Sequence, residues 1–165
     1  MKLYLMRHGP AEDRADSGLD GDRALTEAGR KRVKSVARLL VDVSEVPSHV
    51  ITSPLVRAVQ TAEIVALTTK MDSRSGSVEV RRELSPGSGA EAGAMAQRLS
   101  AEGCKRVLFV GHEPDLSALA SSLLGAFDRP FDKAMVIGLK LPLLGMARLR
   151  FVLDAKALRF EPVGT

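Results

Sequence analysis

Tryptophan is absent from this 165-residue chain, cysteine occurs once, and the aromatic residues amount to five Phe and one Tyr. The lone Cys104 cannot pair within the chain, which excludes a disulfide-held scaffold and points to a reducing compartment, the cytoplasm. With so few aromatics, packing falls to Leu, Val, Ile and Ala, an ordinary mixture for an α/β protein. Long apolar runs are also missing. Leu3 to Met6 is too short for a signal-peptide core, and Ala134 to Ala147 is interrupted by Lys140, so no membrane segment is expected. Histidine is scarce at three residues, and no His, Cys or acid cluster has metal-ligand spacing; neither a metal nor a cofactor is expected.

The length suits one domain spanning residues 1–165, because a chain of this size can bury a sizeable core and no linker or repeat divides it. A net charge of +4 favours anionic ligands. The basic residues are scattered and lack interleaved aromatics, so a nucleic-acid partner is not expected.

Strand and helix patterns alternate along the chain. Lys2 to Met6 reads as a buried strand ending at Arg7 and His8, and Pro10 to Asp22 reads as a polar loop. Thr26 is a plausible cap for a helix whose Val33, Val36, Ala37, Leu40 and Val41 recur at helical spacing. His49 to Thr52 is a second strand, after which Ser53 and Pro54 signal a helix start, with Arg57 one turn in and an end near Leu67. Thr68 to Ser77 is a polar loop, Val78 to Arg81 a third strand, and Ala90 to Ser100 a helix. Val107 to Val110 is the most strand-like run and leads directly into Gly111, His112 and Glu113. Pro114 opens a further helix to about Leu124, and Ala134 to Leu141 and Ala147 to Leu153 close the chain as strands. This alternation predicts a three-layer α/β/α sandwich with a mostly parallel central sheet.

Ligands of such sheets bind beyond the carboxyl ends of the strands. Three of those ends deliver Arg7 with His8, the helix start carrying Arg57, and His112; Glu83 follows the third strand. Two guanidiniums, two imidazoles and a helix terminus suit a dianionic phosphoryl group, through bidentate donors and backbone N–H groups.

Four ordered blocks carry a family likeness: Leu3-Tyr4-Leu5-Met6-Arg7-His8-Gly9, Leu25-Thr26-Glu27-Ala28-Gly29, Thr52 through Ala62 around Arg57, and Val110-Gly111-His112-Glu113-Pro114. Together they resemble the histidine phosphatase superfamily, also called phosphoglycerate mutase-like, over residues 3 to about 117. The resemblance implies a phosphatase in which His8 attacks phosphorus and forms a covalent phosphohistidine. It further implies that Arg7, Arg57 and His112 hold the phosphoryl oxygens and that Glu83 gives the leaving group its proton. Glu12 and Asp13 in the first loop are reserve candidates for that acid, and an exposed Glu83 paired with Arg81 or Arg82 is its bland alternative.

The mutase branch carries a hydroxyl residue after Arg-His-Gly and long closing insertions, whereas Pro10 and Ala11 stand here and the intervening segments are short. A shallow, open site suits a phosphate displayed on another protein. In this respect the chain resembles the small phosphohistidine phosphatases, whose partner is a phosphorylated histidine phosphotransfer domain. A small phosphorylated metabolite and a non-catalytic phosphate-binding module stand as alternatives. A cysteine phosphatase is excluded, because Val110 occupies the position where an Arg must follow Cys104. Gly87 to Gly93 has Ala92 in place of the last dinucleotide-motif glycine, and His112-Glu113 lacks the second histidine of a zinc protease. His49 reads as structural or surface.

Overall fold

The computed structural model describes residues 1–71 and 78–164. Its centre is a seven-stranded sheet in the order β3-β2-β4-β1-β5-β6-β7. The strands are β1 (Lys2–Arg7), β2 (His49–Thr52), β3 (Val78–Val80), β4 (Arg106–Gly111), β5 (Val136–Lys140), β6 (Arg148–Asp154) and β7 (Arg159–Pro162). Four helices flank it: α1 (Glu27–Asp42), α2 (Val56–Thr68), α3 (Gly89–Ala101) and α4 (Asp115–Leu124).

β1 and β4 are apolar at nearly every position because both of their faces are covered. Successive side chains point to opposite sides of a strand. Leu3 and Leu5 accordingly pack with Met95 and Ala96 of α3 and Leu116 and Leu119 of α4. Tyr4 and Met6 pack on the other face with Val33, Val36 and Leu40 of α1 and Ala58 and Val65 of α2. The expected three layers are therefore present. Thr26 caps α1 as anticipated, its hydroxyl accepting the Gly29 N–H at 3.0 Å.

The sheet is mixed, which corrects the expectation of a mostly parallel one. β3, β2, β4 and β1 pair in parallel, while β5, β6 and β7 pair antiparallel. The helix-strand alternation that demands parallel crossovers ends at α4; residues 125–135 then return the chain so that β5 lies antiparallel beside β1, and β6 and β7 follow without a crossover helix, as antiparallel neighbours can. β7 is an edge strand of only Arg-Phe-Glu-Pro, too short and polar for its sequence to announce it. Helix α2 begins at Val56 with Leu55 as its cap, later than the Ser53–Pro54 signal implied, so Arg57 is its second residue. Of the polar loop read at Thr68 to Ser77, residues 72–77 lie outside the described residues.

At the starting end of β1 the carboxylate of buried Glu45 accepts from Lys2 Nζ at 3.2 Å, Tyr4 Oη at 2.8 Å and Arg150 Nη2 at 2.5 Å. Burial pushes its pKa up, but the donors from Arg150, Tyr4 and Lys2 outweigh burial and bring it down to about 2. No helix among the described residues is long and apolar enough to cross a membrane.

Candidate active site

Strand register assembles the site. β4 lies between β1 and β2, all three run the same way, and Arg7 pairs with Gly111 while Thr52 pairs with Val110. His8 and His112 each follow the last pair directly, so residues 104 positions apart leave neighbouring strands side by side. Backbone bonds extend the ladder past the strands, from His8 N–H to Gly111 O and from Ser53 N–H to Val110 O, both at 3.1 Å. The two imidazole centroids stand 5.1 Å apart.

His8 is 6% exposed, and its Nδ1 lies 2.7 Å from the carbonyl oxygen of Gly9. A carbonyl only accepts, so Nδ1 carries the hydrogen and the lone pair of the neutral ring resides on Nε2. Burial pushes the His8 pKa down to about 3, assisted by the charges of His112, Arg57 and Arg7 and opposed by the Gly9 carbonyl. The Gly9 N–H donates to Thr61 Oγ1 at 3.0 Å, and the Thr61 hydroxyl donates to Arg57 O at 2.7 Å, tying the His8 turn to α2. Gly9 is required at this turn because a Cβ would lie 2.6 Å from Val33 Cγ2.

His112 is equally buried, with Nε2 2.8 Å from Ser53 Oγ. Ser53 Oγ also accepts the Leu55 N–H at 3.3 Å, which ties it to the start of α2. Burial, then the Arg57 charge, push the His112 pKa down to about 4, with Asp20 opposing. Ser53 thus supports an imidazole, where the sequence suggested a helix cap.

Arg57 is 4% exposed; it donates through Nη1 to Asp20 O at 2.8 Å and through Nη2 to Asp20 Oδ2 at 3.0 Å. Arg7 donates through Nη1 to Phe131 O at 2.7 Å. The Phe131 N–H in turn donates to Glu113 Oε1 at 2.5 Å, and Glu113 is held by the Ser117 hydroxyl at 2.7 Å. Asp20, Ser53 and Glu113 were missed as site residues because each acts through a partner distant in sequence. Ser53, inside the third block, and Glu113, inside the fourth, carried a local signal; Asp20 carried none.

Glu83 sits in a 3₁₀ turn (Arg82–Leu84) and lines, with Ser85, Ser88, Gly111, His112 and Asp115, a small cleft partly open to solvent. Its bland alternative does not form: Arg81 pairs with Glu79, and Glu83 makes no ion pair among the described residues. Glu12 and Asp13 are exposed; the Glu12 carboxylate accepts the Ala24 N–H at 3.3 Å. His49, read from the sequence as structural or surface, is on the surface and bonds to Ser48. Among the described residues no group of three His, Cys, Asp or Glu side chains is placed to hold a metal ion.

A neutral buried imidazole with a fixed lone pair, near a second imidazole and the charges of Arg7 and Arg57, is an arrangement chemically suited to a phosphoryl group. The family comparison agrees: the histidine phosphatase superfamily (branch 1) matches residues 3–85. The chain is 34% identical to the phosphohistidine phosphatase SixA of Escherichia coli, over 74% of each protein. It is 38% identical to an uncharacterised protein of Picosynechococcus sp., over 91% of this chain and 89% of that one. Among solved structures, the protein histidine phosphatase SixA complexed with tungstate superposes with a TM-score of 0.88 at 29% identity, covering 96% of this chain and all of that one. A mycobacterial glucosyl-3-phosphoglycerate phosphatase shares the fold, with a TM-score of 0.71 at 19% identity over 90% of this chain and 96% of that one. The chain therefore belongs to the histidine phosphatase superfamily, and it is a hydrolase similar to SixA.

Proposed function

We propose that this phosphatase removes the phosphoryl group from phosphohistidine on a protein, by way of a covalent phosphohistidine at its own His8, as a single cytoplasmic domain. The observation that supports the reading is the His8 ring: neutral, with Nδ1–H fixed on Gly9 O and the lone pair on Nε2, and with His112, Arg57 and Arg7 near enough for their charges to lower its pKa. In the first step Nε2 forms a bond to phosphorus while the phosphorus–nitrogen bond to the substrate imidazole breaks. Arg7, Arg57 and His112 stabilise the charge on the transferring oxygens, and Glu83 gives its proton to the departing ring. In the second step water attacks the His8 phosphoramidate, its proton passes to the Glu83 carboxylate, and orthophosphate leaves with the starting enzyme restored.

The short connections bordering the cleft, with Pro86 and Gly87 exposed, leave the phosphoryl group reachable by a histidine on another protein's surface. Incubation with a radiolabelled, phosphorylated histidine phosphotransfer domain tests this. Expected are loss of label from the substrate and transient, acid-labile label on the enzyme, both abolished in His8→Ala. Efficient hydrolysis of small phosphomonoesters with the phosphorylated domain left untouched would sink the proposal.

A further inference from the structure

The buried side-chain nitrogens without an acceptor among the described residues are Arg7 Nε, Arg23 Nε, Arg57 Nε and His112 Nδ1. Three of these belong to residues already placed around the anion; Arg23 is the newcomer. Buried donors without a partner are costly, and a set of them gathered in one place marks where a ligand completes the hydrogen bonding.

Arg23 follows the 3₁₀ turn Asp20–Asp22. Its Nη1 donates to Glu12 O at 3.0 Å, and its Nη2 pairs with Asp20 Oδ1 at 2.8 Å. The other carboxylate oxygen of Asp20, Oδ2, accepts from Arg57 Nη2 at 3.0 Å. One carboxylate thus bridges two guanidiniums, each oxygen taking one of them, as two oxygens of a phosphoryl group do. The position of Arg23 is also felt by His112, whose pKa its charge helps to lower.

We infer that Arg23 is a third guanidinium for the phosphoryl group, and that the Asp20 carboxylate is a resident anion which the substrate displaces from between Arg23 and Arg57. The inference rests on the reading of this pocket as a phosphoryl site and adds one residue and one competitor to it. Asp20 is suited to yield. Its side chain is 66% exposed on a surface turn, so water takes over its hydration as it leaves. It brings a single negative charge, whereas a phosphoryl group brings about 1.5 to 2 near neutral pH. While the site is empty, the bridge holds both guanidiniums in place and offsets part of their mutual repulsion.

Calorimetric titration of orthophosphate and of tungstate into the wild type, Arg23→Met, Arg23→Lys and Asp20→Asn tests the inference without relying on turnover; circular dichroism confirms that each variant is folded. Arg23→Met should weaken both anions by about 10- to 100-fold, the range for losing a charge-assisted hydrogen bond. Arg23→Lys, which keeps the charge but loses the fork, should fall between Arg23→Met and the wild type. Asp20→Asn should bind both anions several-fold more tightly. Wild-type affinity in Arg23→Met overturns the role of Arg23, and weaker binding in Asp20→Asn shows a residue that orders Arg57 instead of competing for it. If the wild type binds neither anion, the phosphoryl reading itself falls, and this inference with it.

Discussion

The rings of His8 and His112 face each other at 5.1 Å with a tilt of 51°, and both are held neutral at physiological pH. Two charged imidazoles at that distance, beside Arg7 and Arg57, would repel strongly in a buried pocket. Neutrality leaves the His8 lone pair available and makes His112 a donor without added charge.

In an NMR titration, the His8 and His112 ring signals should therefore keep their neutral positions from pH 8 down to pH 5. Their folded pKa values lie near 3 and 4, below the ordinary 6.5, so the unfolded chain takes up protons first as pH falls. Stability from these two groups is full above pH 6.5 and is lost as pH falls from there to about 4 for His112 and about 3 for His8, which should lower the urea midpoint at pH 5 relative to pH 7. Rings that titrate near 6.5 would contradict the burial-driven shift.

Glu83→Gln should slow hydrolysis of an alkyl phosphate by about 10²- to 10⁴-fold, the range for a general acid. The loss on a phosphohistidine protein should be smaller, because an imidazole departs more readily than an alkoxide once its ring is protonated. Steady-state kinetics on both substrates measures the difference. Near-normal rates on the alkyl ester would move the acid role elsewhere, and Glu12→Gln and Asp13→Asn would then be the variants to compare.

Glu113 holds the Phe131 N–H, and the Phe131 carbonyl holds Arg7. Glu113→Ala should raise KM for phosphorylated substrates several-fold with a smaller change in kcat, and should cost about 1–3 kcal/mol of stability from the unpaired backbone group. Glu113→Gln keeps an oxygen acceptor at the same reach and should recover most of the KM. An equal loss in both variants would show that the carboxylate charge, and not its hydrogen bond to Phe131, is what matters.

Gly29 lies in the first turn of α1 where the chain after His8 passes over it, and a Cβ there would stand 2.0 Å from Pro10 O. Alanine is worth about 0.5–1 kcal/mol more than glycine within a helix. Overpacking against backbone costs about 1–3 kcal/mol and should win, so Gly29→Ala should be destabilising by denaturant unfolding. A stabilised variant would mean that residues 9–11 shift freely.

The end of the sheet that carries the candidate site was readable because its parts are local. Each of the runs ending at Arg7, Thr52 and Val110 is apolar on both faces, and a polar residue with chemical reach follows at the strand's end. What escaped is set by partners far apart in the chain. Asp20 and Arg57 are 37 positions apart, and a polar loop gives no sign of which arginine it will meet. Ser53 resembles a helix cap until the fold brings His112 to it. The direction of β5 depends on how the chain returns from α4, which the apolar pattern of Val136 to Lys140 leaves open.

Glu45, gripped by Lys2, Tyr4 and Arg150, rivets the beginning of the strand whose far tip leads into His8. Because that rivet and the reacting atoms occupy opposite ends of one rigid strand, durability and chemistry can be adjusted apart. Substitutions around Glu45 should change how long a molecule survives heat or acid while leaving the turnover of each surviving molecule unchanged.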